Sequence, residues 1–281
     1  MKKLTSILLL LVMAVSMMAG CGNKETVTAK VVEIELTQEE YAFGVDKSQP
    51  ELLASVNAFI AQIMNDGTFD EICSHYFGDG TPVAVTSAAL DTSKDQLVVA
   101  TNAAFEPFEY MEGDSYYGID MEIAALLAAY LGQELVIANM DFDAVCLAIG
   151  QQKADIAMSG LTIKEDRKEY VNFTDSYYNA SQKLIALSTD TTFDACKTAA
   201  DVEAILSGKD SSVKIGVQTG TTGQFYSEGD PDWGFAGFPV TTVGYKNGSL
   251  AVQALLNGNL NYVIIDSAPA VCITEAINEM Q

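Results

Sequence analysis

From Leu97 onward the chain alternates short apolar runs with helix-length segments, and that rhythm restricts it to an α/β fold. LVVAT is followed by a helical pattern over 120–131 stopped by Gly132; ELVIA is followed by one over 141–149 stopped by Gly150, and then by DIAM. Strands that alternate with helices pair mainly in parallel and are covered on both faces. After KLIAL, expected to be a crossing strand, the rhythm resumes with a helix over 199–206, the strand VKIGVQ and the helix TGTTGQFY. A helix over 249–256, the strand YVIID and a helix over 268–280 complete it. Repetition of the βα unit on both sides of residue 185 predicts two lobes rather than one sheet.

The residues before Leu97 follow a different pattern. VVEIEL sets Val32, Ile34 and Leu36 on one face and Glu33 and Glu35 on the other, the alternation of a half-buried strand. A second short strand, YAFGV, follows. Pro50 opens a helix in which Leu52, Leu53, Val56, Phe59, Ile60 and Ile63 recur at helical spacing, and a shorter helix carries Phe69, Ile72, Tyr76 and Phe77. Between Gly78 and Gln96 the composition turns to Gly, Thr, Ser, Ala and Asp, which predicts a linker.

Lys2 and Lys3, an apolar run from Ile7 to Val15 and small residues up to Gly20 make residues 1–20 a leader and not part of the fold. No later stretch approaches the length of a membrane-spanning helix. The formal charge of −23 excludes a nucleic-acid or anionic-lipid surface as partner. A single histidine leaves no basis for a His-dependent catalytic triad or a zinc cluster, and neither GxGxxG nor a P-loop lysine is present. No cofactor or metal is expected. Cys73, Cys146, Cys196 and Cys272 lack a close CxxC pair and allow three pairings, but Cys146 and Cys272 sit among apolar residues of expected helices, so buried thiols are favoured over disulfides.

Six segments carry a family resemblance: LVVATNAAFEPFEY, GIDMEIA, DFDAVCLAIGQQKADIAMSGLTIKEDRKEYVNFTDSYY, KIGVQTGTTGQ, NGNLNYVIIDSAPA and, out of order, the front stretch VVEIELTQEEYAFGVDKSQPELLASVNAFIAQIMNDGTFDEICSHYFG. The first five resemble, in family order, the polar amino acid class of bacterial extracytoplasmic solute-binding proteins, the receptors of ABC importers. The sixth is similar to the family's C-terminal segment. The resemblance implies a type II periplasmic-binding-protein-like fold, circularly permuted, with 78–96 splicing the ancestral termini. Lobe 1 would be 37–181 and lobe 2 the union of 29–36 with 182–281. MAG before Cys21 resembles a lipobox, which implies a lipid on Cys21, a tether over 21–28 and a monomer held on the outer face of the cell membrane. An ABC permease is the implied protein partner. The alternatives are a cyclohexadienyl dehydratase-like enzyme on the same fold and a sensory or surface binding protein without a transporter.

Arg167 is the one arginine among fifteen basic residues, a planar bidentate donor in a chain that otherwise uses lysine. Its place in SGLTIKEDR matches the family's ligand-carboxylate arginine, whereas on residue chemistry alone it could pair with Asp166 or Glu169. By the same resemblance Ser159, Gly160 and Thr162 hold the ligand's α-groups, Thr221 and Thr222 complete the carboxylate site, and Asp266 takes the α-ammonium. Phe105 and Phe142 match the positions that sandwich the ligand's aliphatic part. Asn102 stands where relatives that prefer basic ligands tend to carry an acid, and so predicts a neutral or polar ligand side chain.

Overall fold

The computed structural model describes residues 27–280; the expected leader and Cys21 lie outside them. Two five-stranded sheets organise the chain. In the first, Gln96–Thr101 pairs in parallel with Glu134–Asn139 on one side and Ile156–Ala157 on the other. Gly44–Asp46 and then Val171–Phe173 extend that sheet antiparallel. The second sheet has Lys214–Gln218 parallel to both Thr241–Tyr245 and Tyr262–Asp266, and is extended antiparallel by Gln182–Leu187 and Ala29–Val32. Parallel pairing thus holds where the βα rhythm runs, and the antiparallel strands lie together at one edge of each sheet.

The predicted helices form where the spacing puts them. The pattern read over 120–131 is the helix Ile119–Leu131, ended by Gly132 at φ 74°, a left-handed conformation that lets its N–H reach the Ala128 and Ala129 carbonyls. Pro50–Asp66 buries Val56, Phe59, Ile60 and Ile63, one stripe of the expected face, while Leu52 and Leu53 are only partly covered. Thr68–Phe77 follows at once and packs with it beside the first sheet.

Several expectations need revision. VVEIEL is a strand only as far as Val32. Val32 and Leu36 are still buried on the second sheet's core, but beyond Val32 the chain leaves the sheet, and Leu36 N–H donates to the Gln182 carbonyl at 2.9 Å. YAFGV is divided between two elements, Glu39–Tyr41 and Gly44–Asp46. Glu39–Tyr41 pairs antiparallel with Tyr178–Ala180, so both passages between the sheets run side by side as one ribbon.

The 78–96 stretch does more than link. Val85 exchanges backbone hydrogen bonds with Tyr116, Ala88 N–H donates to the Leu135 carbonyl, and Ile137 N–H donates to Ser87 Oγ. Its entry is held by the Glu122 carboxylate, which accepts from Val83 N–H and Tyr76 Oη–H and lies 2.9 Å from His75 Nδ1. The segment is a strap along the helix Ile119–Leu131 and the outer strand of the first sheet. The four cysteines among the described residues are free, and each is partly rather than fully buried. No helix among the described residues is long and apolar enough to cross a membrane.

Candidate functional site

The carboxyl ends of the parallel strands in the two sheets face each other, the position where open α/β sheets bind ligands. Between them lies a small, tightly closed cavity lined by Phe105, Phe142, Gly160, Thr162, Arg167, Gln218, Thr221, Thr222 and Asp266. Arg167 stands in a short 3₁₀ turn and is buried. Its Nη1 donates to the Thr162 carbonyl at 2.6 Å and its Nη2 to the Gly220 carbonyl at 3.0 Å, so the guanidinium bridges the loops of both sheets. The Phe142 ring lies 5.3 Å from its central carbon.

Neither Asp166 nor Glu169 neutralises it. Asp166 is taken by Lys164 at 2.7 Å, and among the described residues no carboxylate lies within 4 Å of Arg167. A buried guanidinium without a countercharge is costly unless an anion completes it.

Asp266 ends the strand Tyr262–Asp266 and is also buried. Tyr41 Oη–H donates to it at 2.5 Å. Burial, and after it the charge of Glu39, pushes its carboxyl up to about 7, against the hydrogen bonds from Tyr41 and Gln182. The cavity therefore has one cationic and one acidic group in its wall, with aromatic rings between.

Gly160 has φ +50°, and a Cβ there would lie 2.9 Å from the Phe105 ring; only glycine lets that ring lie against the loop. Its N–H is already given to Asp120 at 2.9 Å, so its expected role as a ligand donor is not available in this arrangement. Ser159 is not in the cavity wall. Its hydroxyl donates to Glu109 at 2.9 Å and accepts from Asn102 N–H at 3.0 Å, which braces the loop from below. Burial pushes Glu109 well above the carboxylate range and Asp120 up to about 7; the charge of Asp120 adds to the shift on Glu109, and hydrogen bonds from Gly160 and Tyr177 limit that on Asp120. Thr221 spends its hydroxyl on the Gln218 carbonyl at 2.8 Å, and Thr222 Oγ1 meets Thr162 Oγ1 at 3.3 Å.

Asn102 also stands behind the wall. Its Nδ2 donates to the Met140 carbonyl at 2.7 Å, which fixes the amide orientation, and its Oδ1 accepts from Gln218 Nε2 at 3.0 Å. Gln218 Oε1 is then left as a buried acceptor with no partner among the described residues, on a side chain that lines the cavity. Sequence reasoning missed Gln218, although a polar residue closing the apolar strand KIGVQ just before TGTTG was a usable sign. It also missed Tyr41 and Glu39, which lie far from the other site residues in the chain.

A profile of the bacterial extracellular solute-binding proteins, family 3, matches residues 97–266. The arginine-binding extracellular protein ArtP of Bacillus subtilis is 31% identical over 55% of this chain and 56% of its own length. ABC transporter arginine-binding protein 1 of Escherichia coli is 30% identical over 63% and 65%. The chain thus spans between about half and two thirds of the length of these relatives. Holo ArgBP from T. maritima superposes with TM-score 0.55 at 30% identity, over 68% of this chain and 78% of that one. The ancestral amino acid-binding protein AncCDT-1, a precursor of cyclohexadienyl dehydratase, gives TM-score 0.55 at 27% identity over 65% and 75%. With two α/β sheets joined by a ribbon, these likenesses make the fold that of a type II periplasmic amino-acid-binding protein. The matched span is more than half of the chain, which belongs to the bacterial extracellular solute-binding proteins, family 3.

Proposed function

We propose that the chain is the receptor of an ABC importer and binds a free amino acid between its two sheets without converting it chemically. One observation carries this reading: a buried guanidinium with no countercharge among the described residues faces a cavity whose other charged group is a buried carboxylate. An α-carboxylate on Arg167 and an α-ammonium on Asp266 neutralise both, and the rings of Phe105 and Phe142 cover the carbon chain between. The unpartnered Gln218 Oε1 calls for a ligand side chain that ends in an N–H or O–H donor. Arginine and histidine, which relatives bind, belong to that class, as does glutamine. The neutral preference expected from Asn102 has no further support, because both ends of that amide are engaged within the protein.

The chain order supports a circular permutation. Residues 29–77 precede the matched span, yet they add a strand to each sheet and two helices beside the first. On this reading 37–181 is lobe 1, 29–36 with 182–281 is lobe 2, and the paired ribbon is the hinge. A lipid on Cys21 would then tether lobe 2 to the outer face of the membrane.

The test is a thermal-shift panel of the amino acids on the purified extracytoplasmic chain. A cognate ligand at 100 times its Kd adds about 2.7 kcal/mol of stability. A panel in which no amino acid raises the melting temperature refutes the proposal, and turnover of arogenate or prephenate would replace it with a dehydratase.

A further inference from the structure

Glu39 does not line the cavity, but it decides what one of the lining groups can offer. On the strand Glu39–Tyr41 the side chains of residues 39 and 41 turn inward while Glu40 is exposed. Tyr41 reaches Asp266 from that face. Glu39 reaches Thr162: Thr162 Oγ1–H donates to Glu39 Oε2 at 2.8 Å. The other oxygen, Oε1, accepts from Thr37 Oγ1 at 2.6 Å and from Gln182 Nε2 at 3.0 Å.

A hydroxyl has one proton and a carboxylate has none to give. With its proton spent on Glu39, Thr162 Oγ1 presents only lone pairs to the cavity. One lone pair is directed at Thr222 Oγ1 at 3.3 Å, a long contact that a better donor can displace. Asp266, the other polar group in this part of the wall, is an acceptor when ionised, and Glu39 adds a second negative charge behind it.

We infer that Glu39 is a positioning residue of the amine subsite: by taking the Thr162 proton it fixes Thr162 Oγ1 as an acceptor, so that the cavity selects an α-ammonium over an α-hydroxyl. The inference rests on the reading of the cavity as an amino-acid site. An ammonium brings three donors to Asp266 and Thr162 Oγ1, whereas an α-hydroxyl brings one and leaves an acceptor unpaired.

The experiment compares the strongest-binding amino acid of the panel with its α-hydroxy analogue, by calorimetric displacement, in wild type, Glu39→Gln, Thr162→Val and the double variant. In Glu39→Gln the new amide can donate to Thr162 Oγ1, which frees the hydroxyl proton to turn toward the cavity. Expected is at least a tenfold loss for the amino acid and less than a threefold change for the hydroxy acid. Thr162→Val should give a similar narrowing of the ratio, and adding it to Glu39→Gln should cost less than a further threefold. Should Glu39→Gln fail to fold, as judged by its unliganded melting curve, Thr162→Val alone decides by the same ratio. Equal losses for both ligands, binding of the amino acid within threefold of wild type, or additive effects in the double variant overturn the inference. Wild type that binds no amino acid overturns instead the proposed function beneath it.

Discussion

Replacing Arg167 with methionine separates a ligand clamp from a structural arginine. The guanidinium is buried, gives two hydrogen bonds to carbonyls at 2.6 and 3.0 Å, and has no carboxylate within 4 Å among the described residues. In the unliganded protein two opposing effects nearly cancel. Each hydrogen bond from a charged group contributes about 1.5 to 3 kcal/mol, while relief of an uncompensated buried cation returns several kcal/mol. The melting temperature should therefore move little, by no more than the equivalent of about 1 kcal/mol.

Binding has no such compensation. Loss of one side of a desolvated, hydrogen-bonded charge pair costs about 2 to 5 kcal/mol, which is roughly thirtyfold to several thousandfold in Kd. Calorimetry on wild type and Arg167→Met gives the binding change, and melting curves without ligand give the stability change. Arg167→Lys should fall between them, since an ammonium cannot fork to a carboxylate. Binding within threefold of wild type, or a fall in stability as large as the fall in affinity, would refute the assignment.

Four further outcomes follow from neighbouring groups. Asp266 is pushed up to about 7, so an ammonium that demands its ionised form should release about half a proton on binding at pH 7, and affinity should fall as pH drops below 7. Calorimetry in two buffers of different ionisation enthalpy reads this directly, and buffer-independent heats would contradict it. Asp120 and Asp266 both have folded values raised above the ordinary carboxylate range, so the stability they contribute is complete below about pH 4 and lost as pH rises through about 7; the unliganded melting temperature should therefore fall between pH 5 and 8. Gln218→Leu should weaken a ligand with a donor-ended side chain by about 1 to 3 kcal/mol and leave alanine binding unchanged, and equal effects on both would remove Gln218 from recognition. Lys164 is buried against Asp230 at 3.0 Å and over the Phe225 ring at 4.2 Å, joining the two sides of the cleft. Lys164→Met should speed ligand dissociation, with a cost of about 2 kcal/mol carried mainly by the off-rate in stopped-flow.

Much of the site was legible because it follows the strands. Gly160, Thr162, Thr221, Thr222 and Asp266 come just after, or at the end of, segments with clear strand patterns, and such ends converge in a βα fold. Arg167 was visible as the chain's one arginine. What stayed hidden depends on pairing between distant segments. In QEEY nothing local distinguishes Glu39, which is buried, from Glu40, which is exposed; the pairing with Tyr178–Ala180 decides which one turns inward. Asn102 and Ser159 were placed correctly along their strands, but their side chains turn into hydrogen bonds behind the wall. The strap over 78–96 was hidden for the same reason, since its small polar residues read as a linker until Val85, Ser87 and Ala88 meet strands more than 25 residues away.

The central claim is that Arg167 and Asp266 hold the two α-groups of an amino acid, and one titration tests it most directly. The wild-type protein is titrated, at a pH where both amines are protonated, with the strongest-binding amino acid of the panel and with the methyl ester of the same compound, which keeps the ammonium and the side chain and replaces the carboxylate charge by a neutral group one methyl larger. A loss of thirtyfold or more for the ester is predicted; an ester that binds as tightly as the free acid would contradict the account.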